Sequence, residues 1–212
     1  MSRARVVVGS IALCLGACDQ VWGLDRNDVL PTCGAGTALI VDDFSGSNTC
    51  LPWGDAFEHP GSTASQENGA LQVVVHTKGA AGCTSKNPVD FTAHTLFARV
   101  SDVIPTAGAY TSMNANQTES ITEVNGNLYY QDANGGAYEH LGYEPGAMRW
   151  WRLDAHGGIV TASYSADATT WLELGHRTQT PTVPDNIALL AGLAMDEDTV
   201  GASTFDYVLL CN

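Results

Sequence analysis

Trp150, Arg152 and Asp154 stand two residues apart and together supply the groups that hold a sugar. On an extended chain this spacing places all three on one face, because side chains alternate with period two. A ring stacks on the apolar C–H face of a pyranose, while a guanidinium and a carboxylate take its hydroxyls. Tyr129 offers a second ring, since its neighbour Tyr130 shares a face with Leu128 and therefore points inward. The carboxylates are less ordered: Glu119 and Glu123 are four apart, Glu139 and Glu144 five apart, and Asp196-Glu197-Asp198 is a contiguous run that reads as a loop tip. There is no G-x-S-x-G nucleophile turn and no phosphate loop. No C-x-x-C spacing exists and the six histidines are scattered, so a zinc site is not expected.

The segment that carries Trp150 must be a strand. It runs into Gly157-Gly158, a two-residue hairpin signal, and continues as Ile159–Ser165. With the turn there, His156 faces Ile159, Ala155 faces Val160, Leu153 faces Ala162 and Trp151 faces Tyr164. That register turns Trp151, Leu153, Ala155, Val160, Ala162 and Tyr164 to the core and leaves Trp150, Arg152, Asp154, Thr161 and Ser163 on the other side. Trp53 and Trp171 are also expected in the core. Short strands recur along the chain, at 38–44, 53–58, 70–77, 91–103, 109–113, 120–124, 128–131, 148–156, 159–165, 171–177, 186–195 and 202–210. No stretch makes a capped amphipathic helix, and no repeat recurs at a fixed period, which argues against a propeller or solenoid. The pattern predicts an all-β sandwich or barrel. At 212 residues and 44% apolar, the chain can bury the core of one domain with appendages. A formal charge of −14 without a basic stripe excludes nucleic acid as a partner.

Residues 1–17 read as a signal peptide: Arg3 and Arg5 make a basic start, and the apolar run Val6–Ala17 is too short for the roughly 20 residues that span a bilayer. The end of that run, Leu15-Gly16-Ala17-Cys18, resembles the bacterial lipobox. This resemblance implies cleavage before an acylated Cys18, export, and a membrane partner reached through the lipid anchor. Residues 18–32 then form the lipidated cysteine and a tether, and 33–212 the folded domain. Asp19 resembles an inner-membrane retention signal of enteric bacteria, which leaves open which envelope membrane holds the anchor. Four further cysteines, Cys33, Cys50, Cys83 and Cys211, suit two disulfides in an oxidising compartment, with three connectivities open.

Three stretches resemble the concanavalin A-like lectin/glucanase superfamily, in its laminin-G-like and bacterial jelly-roll branches. The first is Asp42-Asp43-Phe44-Ser45-Gly46 with Trp53 and then Asn68-Gly69-Ala70-Leu71. The second is Trp150-Trp151-Arg152-Leu153 through Tyr164-Ser165-Ala166-Asp167 to Trp171. The third is Leu190–Ala194 followed by Ala202–Val208. The resemblance implies an all-β, two-sheet antiparallel jelly-roll sandwich with a concave face that often binds glycans. First and last strands commonly pair in a jelly roll, which favours Cys33 with Cys211 and so Cys50 with Cys83. Calcium is a further expectation from the family, with Asp43 and Asp206 as ligands if those strands meet. Ser165–Trp171 also looks like the Asp-box of sialidase-type propellers, but it occurs once, is a residue short and lacks the central glycine.

Catalysis on this fold usually resembles the laminarinase pattern E-x-D-x-x-E, whose acids share one face of one strand so that a nucleophile and an acid stand about 5 Å apart. Nothing in the chain matches it. The expectation is therefore a monomeric, lectin-like, glycan-binding module that is not an enzyme, displayed on the cell envelope, with Trp150, Arg152, Asp154 and Tyr129 as its site. A scaffold without a small ligand is the alternative, followed by a glycoside hydrolase or polysaccharide lyase with dispersed acids.

Overall fold

Two glycines set the central hairpin. In a computed structural model of the chain, which describes residues 29–116, 119–131, 136–179, 184–194 and 201–212, Gly157 and Gly158 both adopt left-handed backbone, with φ of +62° and +78°. Paired positive φ values make the turn whose twist suits two antiparallel strands. Trp150 then opposes Ser165, Trp151 Tyr164, Leu153 Ala162, Ala155 Val160 and His156 Ile159. This is the register that the glycine pair implies, and it fixes the faces. Trp151, Leu153, Ala155, Val160 and Ala162 lie wholly in the core.

Fifteen strands are present among the described residues: β1 Ala38–Asp42, β2 Gly54–Glu58, β3 Ser62–Glu67, β4 Ala70–Val75, β5 Gly79–Ser85, β6 Thr95–Asp102, β7 Ala109–Asn116, β8 Glu119–Val124, β9 Asn127–Gln131, β10 Ala137–Gly142, β11 Trp150–His156, β12 Ile159–Ser165, β13 Leu172–Thr178, β14 Ala188–Leu193 and β15 Gly201–Cys211. They form two antiparallel sheets. Sheet A runs β13-β12-β11-β6-β15-β4-β3 with β1 also on β15, and sheet B runs β10-β9-β8-β7-β14-β5-β2. The chain is thus an all-β, two-sheet antiparallel sandwich of jelly-roll type. Strands β3, β5 and β10 lie outside the stretches that the sequence pattern marks.

Between the sheets lies one large core that includes Phe44, Phe91, Leu71, Leu96, Met113, Ile121, Leu128, Tyr130, Trp151 and Phe205. Each such side chain contributes roughly 1.5–3 kcal/mol by leaving water. Trp151 also satisfies its indole N–H, which donates to the Met148 carbonyl at 2.8 Å. Trp53 is 9% exposed and donates its indole N–H to Asp42 at 3.0 Å.

Two disulfides close the sandwich, Cys33–Cys211 and Cys50–Cys83. The first joins the entry to β1 with the end of β15, the two strands that pair. By chain entropy loops of 178 and 33 residues contribute up to about 5 and about 4 kcal/mol.

An ion pair links the sheets at one end. Glu119 on β8 is fully buried, bonded by the Arg177 guanidinium from β13 and by the Tyr130 hydroxyl at 2.6 Å. The Arg177 guanidinium lies 4.8 Å from the centre of the Tyr138 ring.

Candidate functional site

The outer face of sheet B is built from the alternate residues that the core leaves out. On β7, Thr111 and Met113 point inward, so Tyr110, Ser112 and Asn114 point outward; on β8, Ile121 is core, so Ser120, Thr122 and Val124 point outward. Tyr129 and Gln131 extend the row on β9, while Ala80 and Leu190 bring in β5 and β14. Together they line a groove of about 680 Å³ that crosses six strands. A single sheet face can enclose such a volume only if it is curved.

The groove floor is held by its own hydrogen bonds. The Ser112 hydroxyl lies 2.5 Å from Asn114 Oδ1 and 2.7 Å from the Thr122 hydroxyl. Ser120 donates to the Gln131 carbonyl at 2.9 Å. These short polar side chains are thereby oriented rather than free to rotate, which lowers the entropy lost on binding a hydroxylated ligand. Rings stand at two places. Tyr129 is half-buried and stacks on His140 of β10, with ring centres 5.1 Å apart. Tyr110 lies directly across from Gly192, where a side chain would run into its ring. The glycine makes the space that Tyr110 fills.

The sequence-predicted site residues divide between the two sheets. Tyr129 lines the groove. Trp150, Arg152 and Asp154 do not; they lie on the outer face of sheet A, on the far side of the sandwich. Trp150 has no exposed surface, packed with Phe97, Ala168, Tyr207, Leu209 and Cys211 in a second small core. Its cover is a tight turn in which the Asp167 carboxylate accepts the backbone N–H groups of Thr169 and Thr170 at 2.9 and 2.8 Å. Those bonds hold the Asp167 carboxyl well below the usual range. Arg152 lies over the Trp171 ring at 4.6 Å, and Asp154 accepts from Thr95 at 2.6 Å. A buried indole cannot stack on a sugar, so the reading of this trio as a glycan platform is corrected. Trp171 is half-buried in the same outer cluster, bound to the Ala168 carbonyl, and not in the main core.

The two acids expected as calcium ligands each have partners within the chain. Asp206 pairs with Arg99 at 3.6 Å and accepts from Ser101 at 2.8 Å, while Asp43 accepts the Ser45 N–H at 3.1 Å. No group of three His, Cys, Asp or Glu side chains suited to a metal forms among the described residues. Cys18, the tether up to Asn27-Asp28 and the run Asp196-Glu197-Asp198 lie outside the described residues.

Glu119 and Glu123 share a face, as their spacing implies, but it is the inner face of β8. Glu139 and Glu144 line no part of the groove. Among its described lining residues none is Asp or Glu. What sequence reasoning missed is the groove itself. Its signal was present in the polar alternation of Ser112 with Asn114 and of Ser120 with Thr122.

No protein-family model matches the chain, and no curated protein sequence does. Solved structures do. A β-glucanase of Bacillus licheniformis superposes with a TM-score of 0.57 at 10% identity, covering 84% of this chain and 99% of its own. A prokaryotic β-1,3-1,4-glucanase (lichenase) from a mouse hindgut metagenome gives 0.56 at 9% identity, with 81% and 97% covered. A protein of Mycobacterium tuberculosis, described as an immunostimulatory antigen and pseudo-β-1,3-glucanase, gives 0.56 at 11% identity, with 84% and 99% covered. At these identities the likeness is one of fold. It nonetheless corrects the expectation of a lectin-like module or inert scaffold that is not an enzyme. Several neighbours of this sandwich are described as glucanases, and the Mycobacterium tuberculosis protein as a pseudo-glucanase.

Proposed function

We propose that the chain is a glucanase-type protein that takes a linear β-linked glucan along the groove of sheet B. One observation carries this reading: oriented hydroxyls and amides, flanked by Tyr110 and the Tyr129–His140 stack, line a six-strand groove in the sandwich that glucanases share. Rings meet the apolar faces of the sugar, and Ser112, Asn114, Thr122 and Gln131 meet its hydroxyls. Retaining hydrolysis needs two carboxyl groups about 5–5.5 Å apart. The described groove residues supply none, so an acid pair would have to come from elsewhere in the chain.

The test combines gel-retardation binding and reducing-end release with β-1,3-glucan and β-1,3-1,4-glucan, for the wild type and Tyr129→Ala. Retardation by a glucan that Tyr129→Ala weakens at unchanged melting temperature supports the groove. Indifference to both glucans, or full binding by Tyr129→Ala, rejects it. Reducing ends released by the wild type would make it a hydrolase; binding without release would set it beside the pseudo-glucanase.

We further propose that the protein is exported and anchored through Cys18, supported by Arg3, Arg5, the apolar run and Leu15-Gly16-Ala17-Cys18. The two disulfides fit an oxidising compartment. Fractionation of Cys18→Ser checks this: a protein still found in the membrane fraction without its cysteine would refute lipid anchoring.

A further inference from the structure

The inner-facing acids of β8 have unequal surroundings. Glu119 is met by a guanidinium and a phenol, whereas Glu123, only 2% exposed, has one oxygen bonded and the other without any hydrogen-bond partner. The bonded oxygen accepts the Gly126 N–H at 2.8 Å, across the Asn125-Gly126 turn. An unpaired buried carboxylate oxygen is costly, and proteins rarely keep one without a use for it. Glu123 lines a pocket of about 490 Å³ at the rim of the sandwich, formed by the β6–β7 connection, the β8–β9 turn and the β10–β11 connection. That volume falls in the range of small-molecule sites.

The pocket's other walls are mostly apolar: Val103, Ile104, Pro105, Ala107 and Pro145, with the Tyr143 ring. Among its described lining residues none is Lys, Arg or His. Burial raises the Glu123 carboxyl above its ordinary range, against the lowering effect of the Gly126 bond. Burial and the charges of Glu123 and Asp102 together push the Tyr143 hydroxyl up. Both shifts have the same leading cause, an ionisable oxygen held in largely apolar surroundings.

We propose that this pocket binds a small organic ammonium ion, with Glu123 as the counter-charge and Pro105, Tyr143 and Pro145 as walls for its apolar body. An ammonium pairs by charge with the Glu123 carboxylate that lines the pocket, and its charge is favoured by an aromatic face. A cation also removes the penalty of the buried, half-satisfied acid, which a neutral ligand does not. The site stands apart from the groove: Val124 faces the groove and Glu123, next in the chain, faces the rim pocket. It does not depend on the glucan reading.

The experiment is an NMR titration of the purified protein, disulfides intact, with benzylamine and with the neutral benzyl alcohol, following the Gly126 amide. Benzylamine should shift that amide saturably, on the order of millimolar, with benzyl alcohol at least about tenfold weaker as expected for a lost charge pair. Glu123→Gln, which keeps an acceptor for Gly126, should bring benzylamine down to the level of the alcohol. An unmoved Gly126 amide, or equal binding of the two ligands, overturns the proposal, and this wild-type comparison decides even if Glu123→Gln does not fold. Undiminished benzylamine binding by a folded Glu123→Gln overturns it as well.

Discussion

The outer faces of the two sheets invert what their residues suggest. Sheet A displays Trp150, Arg152 and Asp154, the richer chemistry, yet Trp150 is sealed beneath Ala168 and Cys211 and Arg152 is spent on Trp171. Sheet B displays serine, threonine and asparagine, which look like ordinary solvent-facing residues, and forms the groove. The difference lies in the cover. On sheet A the Asp167 turn folds back over the strands; on sheet B the face is left open to a ligand. Residue type states what a face could do, and the long-range cover decides whether it can.

That contrast can be broken most strongly at Trp150. Its replacement by Ala should lower stability by about 3–5 kcal/mol, in the manner of a buried aromatic, and depress the melting temperature by on the order of 10 °C, while any glucan affinity is retained by the molecules still folded. Calorimetry beside gel retardation checks both, and a loss of binding without a loss of stability would return the site to sheet A. The complementary change, Tyr129→Ala, should weaken glucan binding by about tenfold, or ~1.4 kcal/mol, and leave the melting temperature nearly unchanged. Equal losses in both assays would mean that the ring serves packing. Gly192→Ala sharpens the point within sheet B, since the added methyl must displace the Tyr110 ring. A stability cost near 1 kcal/mol is expected, with glucan affinity reduced by a few-fold, readable in the same gels.

The smallest effect concerns pH. The folded-state pKa of Glu123 is raised, so between its unfolded and folded values the native state holds the extra proton. Its contribution to stability is full below the unfolded pKa and is lost as pH rises through the folded one. Denaturant melts at several pH values should therefore show Glu123→Gln gaining on the wild type as pH rises above the ordinary carboxylate range. A constant difference would place the Glu123 carboxyl in an unperturbed setting.

Local signals in the sequence were enough for the hairpin of β11 and β12, because Gly157-Gly158 and the alternation around it are short-range facts. The pairing of β1 with β15 needed the family resemblance. The three strands that escaped notice each lack a local signature for a physical reason. Strand β3, Ser-Thr-Ala-Ser-Gln-Glu, is a polar edge, and β10 is an edge with hardly any buried residue. Strand β5, Gly-Ala-Ala-Gly-Cys-Thr-Ser, is built of small residues because β14 runs so close that a side chain at Gly82 would strike the Leu189 carbonyl. For Trp150 the alternation gave the correct face but not its cover, since the covering groups come from Ala168 and from Cys33 and Cys211, which are far from it in sequence. The groove required knowing that β5, β14, β7 and β8 are neighbours, an order that residues distant in sequence create.

The Cys33–Cys211 bond also settles how the domain would respond to being pulled. Tension applied through the chain before Cys33 meets a covalent link to the end of β15 before it reaches β1, and β15 lies between β6 on one side and β4 and β1 on the other. The first strand therefore cannot be peeled away like the end of a zipper. Load drawn between the chain before Cys33 and Asn212 passes through the disulfide and bypasses the strands, so a force-extension curve should show no unfolding of the sandwich until the bond is reduced.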